Sequence, residues 1–306
     1  MTAFFFHPGY VAPLPEGHRF PMSKYHTTHD ALRAAGVAFA EPEEAERSLL
    51  LGVHGAAYVE AVCSAQVDPA IERQIGFAVT AAVARRSRLS VGGTWAAAHY
   101  ALRDGFAANV AGGSHHAMPD GGAGYCVLND LAVAAAGLLD QGIVRRLLII
   151  DLDVHQGDGT AVCLANRRFH GEQGAFTFSM HCERNFPARK AQSCRDVGLA
   201  DGTGDAAYLS ALRHELPALF DTARPDLVMV QAGVDPHADD RLGRLALTDA
   251  GLMARDAMVR EACLRAGVPF MATLGGGYDA DVVRLGRRHA ASLLALAGII
   301  PAGGNA

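Results

Sequence analysis

The sequence is short of charge, of basic runs and of paired cysteines, and each shortage removes a class of protein. Only 19% of the 306 residues are charged, against 50% hydrophobic. That balance excludes collagen-like, coiled-coil and disordered chains and leaves enough apolar side chains for a large buried core. The formal net charge is -5 and the chain has no basic run, which argues against a nucleic-acid partner. A cationic substrate stays compatible with it, because the field near a site matters more than the total charge. The six cysteines, at 63, 126, 163, 182, 194 and 263, include no C-x-x-C pair. A thiolate zinc knuckle is not expected, and with so large a core the default is a reduced, cytoplasmic setting without disulfides. The opening segment has a short Phe4-Phe5-Phe6 run with no Lys or Arg before it, unlike a signal peptide. No apolar stretch is long enough to span a membrane, so no membrane partner is expected.

A linker rich in Pro, Gly or Ser is also missing, as is any internal repeat, so one domain over residues 1–306 is expected. What is present is alternation: short apolar runs followed by longer helical patterns, the signature of an α/β fold with a mostly parallel sheet and helices on both faces. Strands are expected at Ala3–Phe6, Ala107–Ala111, Leu147–Ile150, Ala175–Met180, Leu227–Val230 and Phe270–Leu274. Helices are expected at Thr27–Ala35, Ala70–Arg86, Thr94–Arg103, Asn129–Gln141, Ala206–Thr222, Asp249–Ala266 and Asp281–Ala297. Thr248 reads as an N-cap, and Gly142 and Gly267 as C-cap glycines. Two stretches, Pro8–Met22 and His181–Gly204, read as long irregular loops, and loops of that length are usually functional.

Chemistry gathers just after four of the expected strands. After Leu147–Ile150 come Asp151-Leu152-Asp153-Val154-His155-Gln156-Gly157-Asp158-Gly159. Ligands in open α/β sheets bind at the carboxyl ends of strands. Alternate residues of an extended chain point the same way, so Asp151, Asp153 and His155 can converge. An Asp-x-His pair suits Zn²⁺. The second cluster is Gly112-Gly113-Ser114-His115-His116-Ala117, whose paired histidines read equally as surface residues, metal ligands or an acid/base pair. The third, Gln231-Ala232-Gly233-Val234-Asp235, offers Asp235 as a third metal ligand, leaving a fourth position open. Asp239 and Asp240 compete for that role, but Arg241 and Arg244 beside them favour a solvated charged loop. The fourth, Leu274-Gly275-Gly276-Gly277-Tyr278, can turn sharply and present a phenol to an oxyanion.

With His18-Arg19-Phe20-Pro21-Met22 and Gly124-Tyr125-Cys126-Val127-Leu128-Asn129-Asp130, these segments resemble, in order along nearly the whole chain, the zinc-dependent histone deacetylase family of the arginase/deacetylase superfamily. The resemblance implies a single-domain arginase/deacetylase fold and hydrolysis of N-acyl amines, with acylated lysine in peptides or proteins, or an acylated small amine, as partner. It implies one Zn²⁺ per chain on Asp153, His155 and Asp235. His115 and His116 are then the tandem acid/base histidines, with Asp151 and Asp158 as their carboxylate partners and Tyr278 as the catalytic tyrosine. Gly124, Tyr125, Phe186 and Leu242 are substrate-binding positions, and a structural K⁺ is implied near Asp151, Asp153, His155, Ser179 and Met180. Gln156, where many relatives have a second histidine, and Asp240-Arg241-Leu242-Gly243 look closer to the small class IV type and its bacterial cousins. Leu242, where polyamine-specific relatives can place an acid, weakens a polyamine substrate.

Two other readings account for less of the sequence. An arginase-like ureohydrolase with paired Mn²⁺ needs more bridging carboxylates and leaves His115-His116 and the Gly-Gly-Gly-Tyr segment unexplained. A catalytically silent acyl-lysine module leaves the full set of reactive groups unexplained. Of the remaining histidines, His181 and His237 are candidates for pocket lining. His7, His18, His26, His29, His54, His99, His170, His214 and His289 read as surface or satisfied loop residues, and Trp95 reads as core. Oligomeric state leaves no mark in the sequence.

Overall fold

The computed structural model describes residues 3–300. Residues 1–2 and 301–306, the two ends of the expected single domain, lie outside the described residues. Among the described residues, eight strands form one sheet: β1 Ala3–Phe5, β2 Phe39–Ala40, β3 Phe106–Asn109, β4 Arg146–Asp151, β5 Gly174–Cys182, β6 Arg195–Leu199, β7 Leu227–Gln231 and β8 Phe270–Thr273. Their spatial order is β2-β1-β3-β8-β7-β4-β5-β6, and every pairing is parallel.

The side-chain alternation of each strand feeds two cores. Leu148, Ile150, Val228, Val230, Phe270 and Ala272 face one side. Leu147, Ile149, Leu227, Met229 and Met271 face the other. The first side is covered by α1 Lys24–Ala34, α8 Asp205–Ala223, α9 Asp249–Ala266 and α10 Val282–Ala297. The second is covered by α5 Ala81–Asp104 and α6 Asp130–Asp140, whose alanines pack closely on the strands. Shorter helices are α2 Arg47–Leu51, α3 Ala56–Cys63, α4 Pro69–Ile75 and α7 Asp158–Cys163. No helix among the described residues is long and apolar enough to cross a membrane.

The six expected strands occur within a residue or two of their expected ends, and Thr248 caps α9 by accepting from the Gly251 amide at 3.0 Å. Gly267 ends the same helix in the left-handed region. Three expectations fail. The helix expected over Ala70–Arg86 is two helices, because Gly76 at φ +101° ends α4 and Thr80 starts α5 with a side-chain cap. The helix expected at Thr94–Arg103 is the second half of that same α5. Inside α5, Gly92 and Gly93 permit close approach: a Cβ at Gly92 would collide with the Glu43 carbonyl and one at Gly93 with Tyr10 and Asn109. The third failure is His181–Gly204, which is not wholly irregular, since β6 adds an edge strand there.

Candidate active site

The four clusters follow β3, β4, β7 and β8, and these are four consecutive strands at the centre of the sheet. Parallel pairing puts their carboxyl ends on one edge, so residues far apart in sequence meet there. The register is direct: Asp151 stands opposite Gln231 on β7 and opposite Ser179 on β5.

At the centre, one ligand-type atom from each of Asp153, His155 and Asp235 lies within 4.8 Å of the other two, and all three residues are buried. His155 Nδ1 is 3.0 Å from Asp153 Oδ1 and 3.1 Å from Asp235 Oδ2. Two carboxylates confined together out of water repel, and burial with the charge of Asp153 pushes Asp235 up to about 7. Burial works against a charged His155, yet the two carboxylates outweigh it and hold the ring up at about 10. A divalent cation fits this donor set: it would supply the counter-charge, and Asp-His-Asp leaves a coordination position free. Gln231 Nε2 at 2.7 Å and the Gly276 amide at 2.7 Å both donate to Asp153 Oδ2, while the Val154 amide donates to Asp235 Oδ1 at 2.9 Å. These bonds orient the carboxylates from behind.

Beside this group stand two histidine–carboxylate pairs. His115 Nδ1 lies 2.7 Å from Asp151 Oδ2, and His116 Nδ1 lies 2.6 Å from Asp158 Oδ1. The ring centroids of the two histidines are 4.0 Å apart. Their environments push them in opposite directions. Burial disfavours the cation at His115, but Asp151 and Asp153 overcome it and raise the group to about 9. Burial and then the neighbouring His115 lower His116 to about 4 despite Asp158. Such a split between adjacent groups is the pattern of an acid and base pair.

Tyr278 is buried, with its ring 6.3 Å from His155 and 5.8 Å from Tyr125. Phe186 packs edge-on against His116 at 4.8 Å while 46% exposed. A Cβ on Gly124 would meet the His116 ring, so this glycine lets the Gly124-Tyr125 turn lie against the pair. Leu242 is half-buried and its carbonyl accepts from Asn185 Nδ2 at 2.8 Å, tying the two rim loops together. The cavity beneath these groups, lined by His115, His116, Tyr278, Phe20, Lys24 and Arg86 among others, is only about 30 Å³. The larger grooves, about 620 and 670 Å³, are lined by other residues, around Trp95 and around Leu294.

Four groups were not anticipated. Asp240 is not in a solvated loop: its Oδ1 accepts from the amides of Leu242 and Gly243, each at 2.9 Å, and its Oδ2 from the Tyr278 amide at 2.7 Å. Lys24 is buried and donates to the Gly275 carbonyl at 2.7 Å. Arg255, fully buried with Asp256, donates from Nη1 to the carbonyls of Gly233 at 2.7 Å and Leu152 at 3.2 Å, bracing the chain beside two of the candidate ligands. His289, expected on the surface or in a loop, is fully buried in α10, and neither ring nitrogen has a hydrogen-bond partner among the described residues. The spacing of Leu252, Asp256, Val259 and Cys263 along one face of α9 was a usable signal for the buried ion pair, since it puts an acid in an apolar stripe. Neither His181 nor His237 lines the small cavity: His181 Nδ1 lies 2.9 Å from Ser179 Oγ, and His237 Nε2 lies 3.4 Å from Asp249. Trp95 is half-buried on α5.

A family model described as a histone deacetylase domain matches residues 18–294. An uncharacterized protein of Picosynechococcus sp. is 46% identical over 288 residues, which are 93% of this chain and 94% of that one. A probable deacetylase of Methanothermobacter thermautotrophicus is 31% identical over 225 residues, 69% of this chain and 65% of its own. A histone deacetylase-like amidohydrolase of Pseudomonas aeruginosa is 33% identical over 179 residues, 54% of this chain and 45% of its own. The crystal structure of the HDA15 HD domain superposes with a TM-score of 0.79 over 99% of this chain and 90% of that chain, at 23% identity, a likeness of fold.

Proposed function

Because the chain belongs to the histone deacetylase family, we propose that it is a zinc-dependent deacylase acting on the linear amide of acetyl- or acyl-lysine in peptides and proteins. The observation that carries this reading is the meeting of two His–Asp pairs and a buried tyrosine around one buried Asp-His-Asp group. Asp153, His155 and Asp235 would hold the ion. When bound, Zn²⁺ supplies Lewis acidity toward the amide carbonyl and lowers the pKa of a water molecule. The reading also includes a structural K⁺ near Asp151, Asp153, His155, Ser179 and Met180; the register pairing of Asp151 with Ser179 supports their proximity.

The protein groups then divide the proton work. His116, held neutral, accepts the proton of the attacking water, and Asp158 on its far nitrogen steadies the ring as it becomes charged. The Tyr278 hydroxyl donates to the oxyanion of the tetrahedral intermediate. A protonated histidine delivers its proton to the leaving amine, with His115 and Asp151 supporting the charge on the pair. Gly124, Tyr125, Phe186 and Leu242 line the approach for an extended acyl-amine stem. Residues 1–306 serve as one catalytic domain in the cytoplasm.

Zinc-loaded protein and Tyr278→Phe, assayed on an acetyl-lysine peptide, test the reading. The variant is expected to lose about 10²- to 10³-fold in kcat, as for removal of one oxyanion donor, with zinc content unchanged. Equal turnover would overturn the role of Tyr278, and no hydroxamate-sensitive turnover in the parent would overturn the deacylase reading in favour of a silent acyl-lysine-binding module. Acetylated polyamines and other small acylated amines form the second substrate class to be run in parallel.

A further inference from the structure

The protein is acidic overall, with a formal net charge of -5, but the loops beside the candidate site are not. Arg19 follows His18, whose ring lies 6.0 Å from that of Tyr125. Arg184 and Arg189 flank Asn185 and the exposed Phe186, and Arg241 and Arg244 bracket Leu242. All five arginines are exposed. The two loops that carry four of them are joined, because Asn185 donates to the Leu242 carbonyl at 2.8 Å and accepts from the Arg244 amide at 3.1 Å. Lys190 adds a further positive charge inside the first loop, where it donates to the carbonyls of Asn185 and Pro187, each at 2.6 Å.

The opposing charges are fewer or already engaged. Asp201 is shared between Arg184 at 3.5 Å and Arg244 at 3.2 Å. Asp239 faces Arg288 at 3.8 Å and His237 at 3.9 Å. Asp240 is turned inward onto three amides. Glu16 and Glu183 are further exposed acids beside these segments and offset part of the charge, while Arg19, Arg189 and Arg241 make no ion pair among the described residues.

Resting on the deacylase reading above, we infer that this mouth selects acylated amines set in an acidic context: an acyl-lysine flanked by Asp or Glu in a peptide or protein. An acetylated polyamine or a Lys- and Arg-rich segment brings cations to these arginine-bearing loops and is disfavoured. Four of the arginines stand on the two joined loops that carry Phe186 and Leu242, so carboxylates flanking an acyl stem that enters there would meet guanidinium groups, which pair with them in a two-pronged geometry. One exposed charge pair about 8 Å apart in water changes affinity by about twofold. Two or three such pairs give about five- to tenfold, and salt removes it.

Three labelled acetyl-lysine peptides of equal length, flanked by Asp/Glu, by Ser/Ala or by Lys/Arg, are compared for kcat/KM and, separately, for binding by fluorescence anisotropy, at low and high salt. The acidic peptide is expected to exceed the basic one about tenfold or more at low salt, and the gap should close at high salt. The double variant Arg189→Glu/Arg241→Glu should shrink or invert the preference. Equal binding of the three peptides, a basic preference, or a preference indifferent to salt would overturn the inference. Acidic preference in binding without turnover of any peptide would sustain the mouth and overturn the deacylase reading, so the two fail separately.

Discussion

Replacing Arg255 by methionine removes the cation of a fully buried ion pair and leaves two carbonyls without their donor. In the parent, Arg255 Nε is 2.8 Å from Asp256 Oδ1, and both side chains have no exposure. Breaking a buried pair on one side costs about 3–5 kcal/mol, because the partner charge stays buried. Against a usual stability of about 5–15 kcal/mol the variant should still fold. An unfolding entropy of about 2.1 cal/mol/K per residue gives about 0.64 kcal/mol/K for a chain of this length, so Tm should fall by about 5–8 °C. The double variant Arg255→Met/Asp256→Asn removes the stranded charge and should recover about half the loss, the remainder belonging to the Leu152 and Gly233 carbonyls. The sign with pH follows. Without Arg255 the folded pKa of Asp256 lies above its unfolded value, so the penalty is present at neutral pH and shrinks as pH falls through that raised pKa. Urea titrations at pH 7 and pH 5 provide the measurement. If the single and double variants are equally destabilised at pH 7, the stranded-charge account is wrong.

Further outcomes can be checked in the same way. Asp240→Asn keeps an oxygen for the Leu242 and Gly243 amides but offers the Tyr278 amide no acceptor; kcat on an acetyl-lysine peptide should fall about tenfold, the equivalent of one hydrogen bond, with little change in KM, and an unchanged kcat would contradict the positioning role. Gly276→Ala drives a methyl group into the Asp235 carboxylate; metal analysis should find most of the zinc lost while circular dichroism stays native, and full zinc occupancy would count against Asp235 as a ligand. Asp279 is held down at about 2 by its hydrogen bond to Arg284, with burial opposing. Its contribution is therefore complete above about pH 4, the unfolded value, and is lost as pH falls through 2. Asp279→Asn should then differ from the parent in urea midpoint at pH 7 but converge with it near pH 2, and equal gaps at both would refute the linkage.

Much of this protein is local and was therefore legible. The strand Leu147–Ile150 announced itself as four apolar residues in a row, since a strand covered on both faces has no polar side. The Asp-x-Asp-x-His alternation after it needed only the pleat of an extended chain to converge. The family motifs carried the candidate roles because they occur in order over most of the chain. What failed was long-range. The helices expected at Ala70–Arg86 and Thr94–Arg103 hid the single α5, because the partners that Gly92 and Gly93 admit inside it, Glu43, Tyr10 and Asn109, are distant in sequence. Asp240 looked solvated beside two arginines, and only the return of the chain at Tyr278 gave its second oxygen an amide to bind. β6, at the sheet edge and partly polar, had no hydrophobic alternation strong enough to show. The sequence by itself determined which residues could do chemistry and that they follow strands. Only the tertiary structure decided that β3, β8, β7 and β4 lie side by side, because strand order is set by packing across the whole sheet and not by any segment of it.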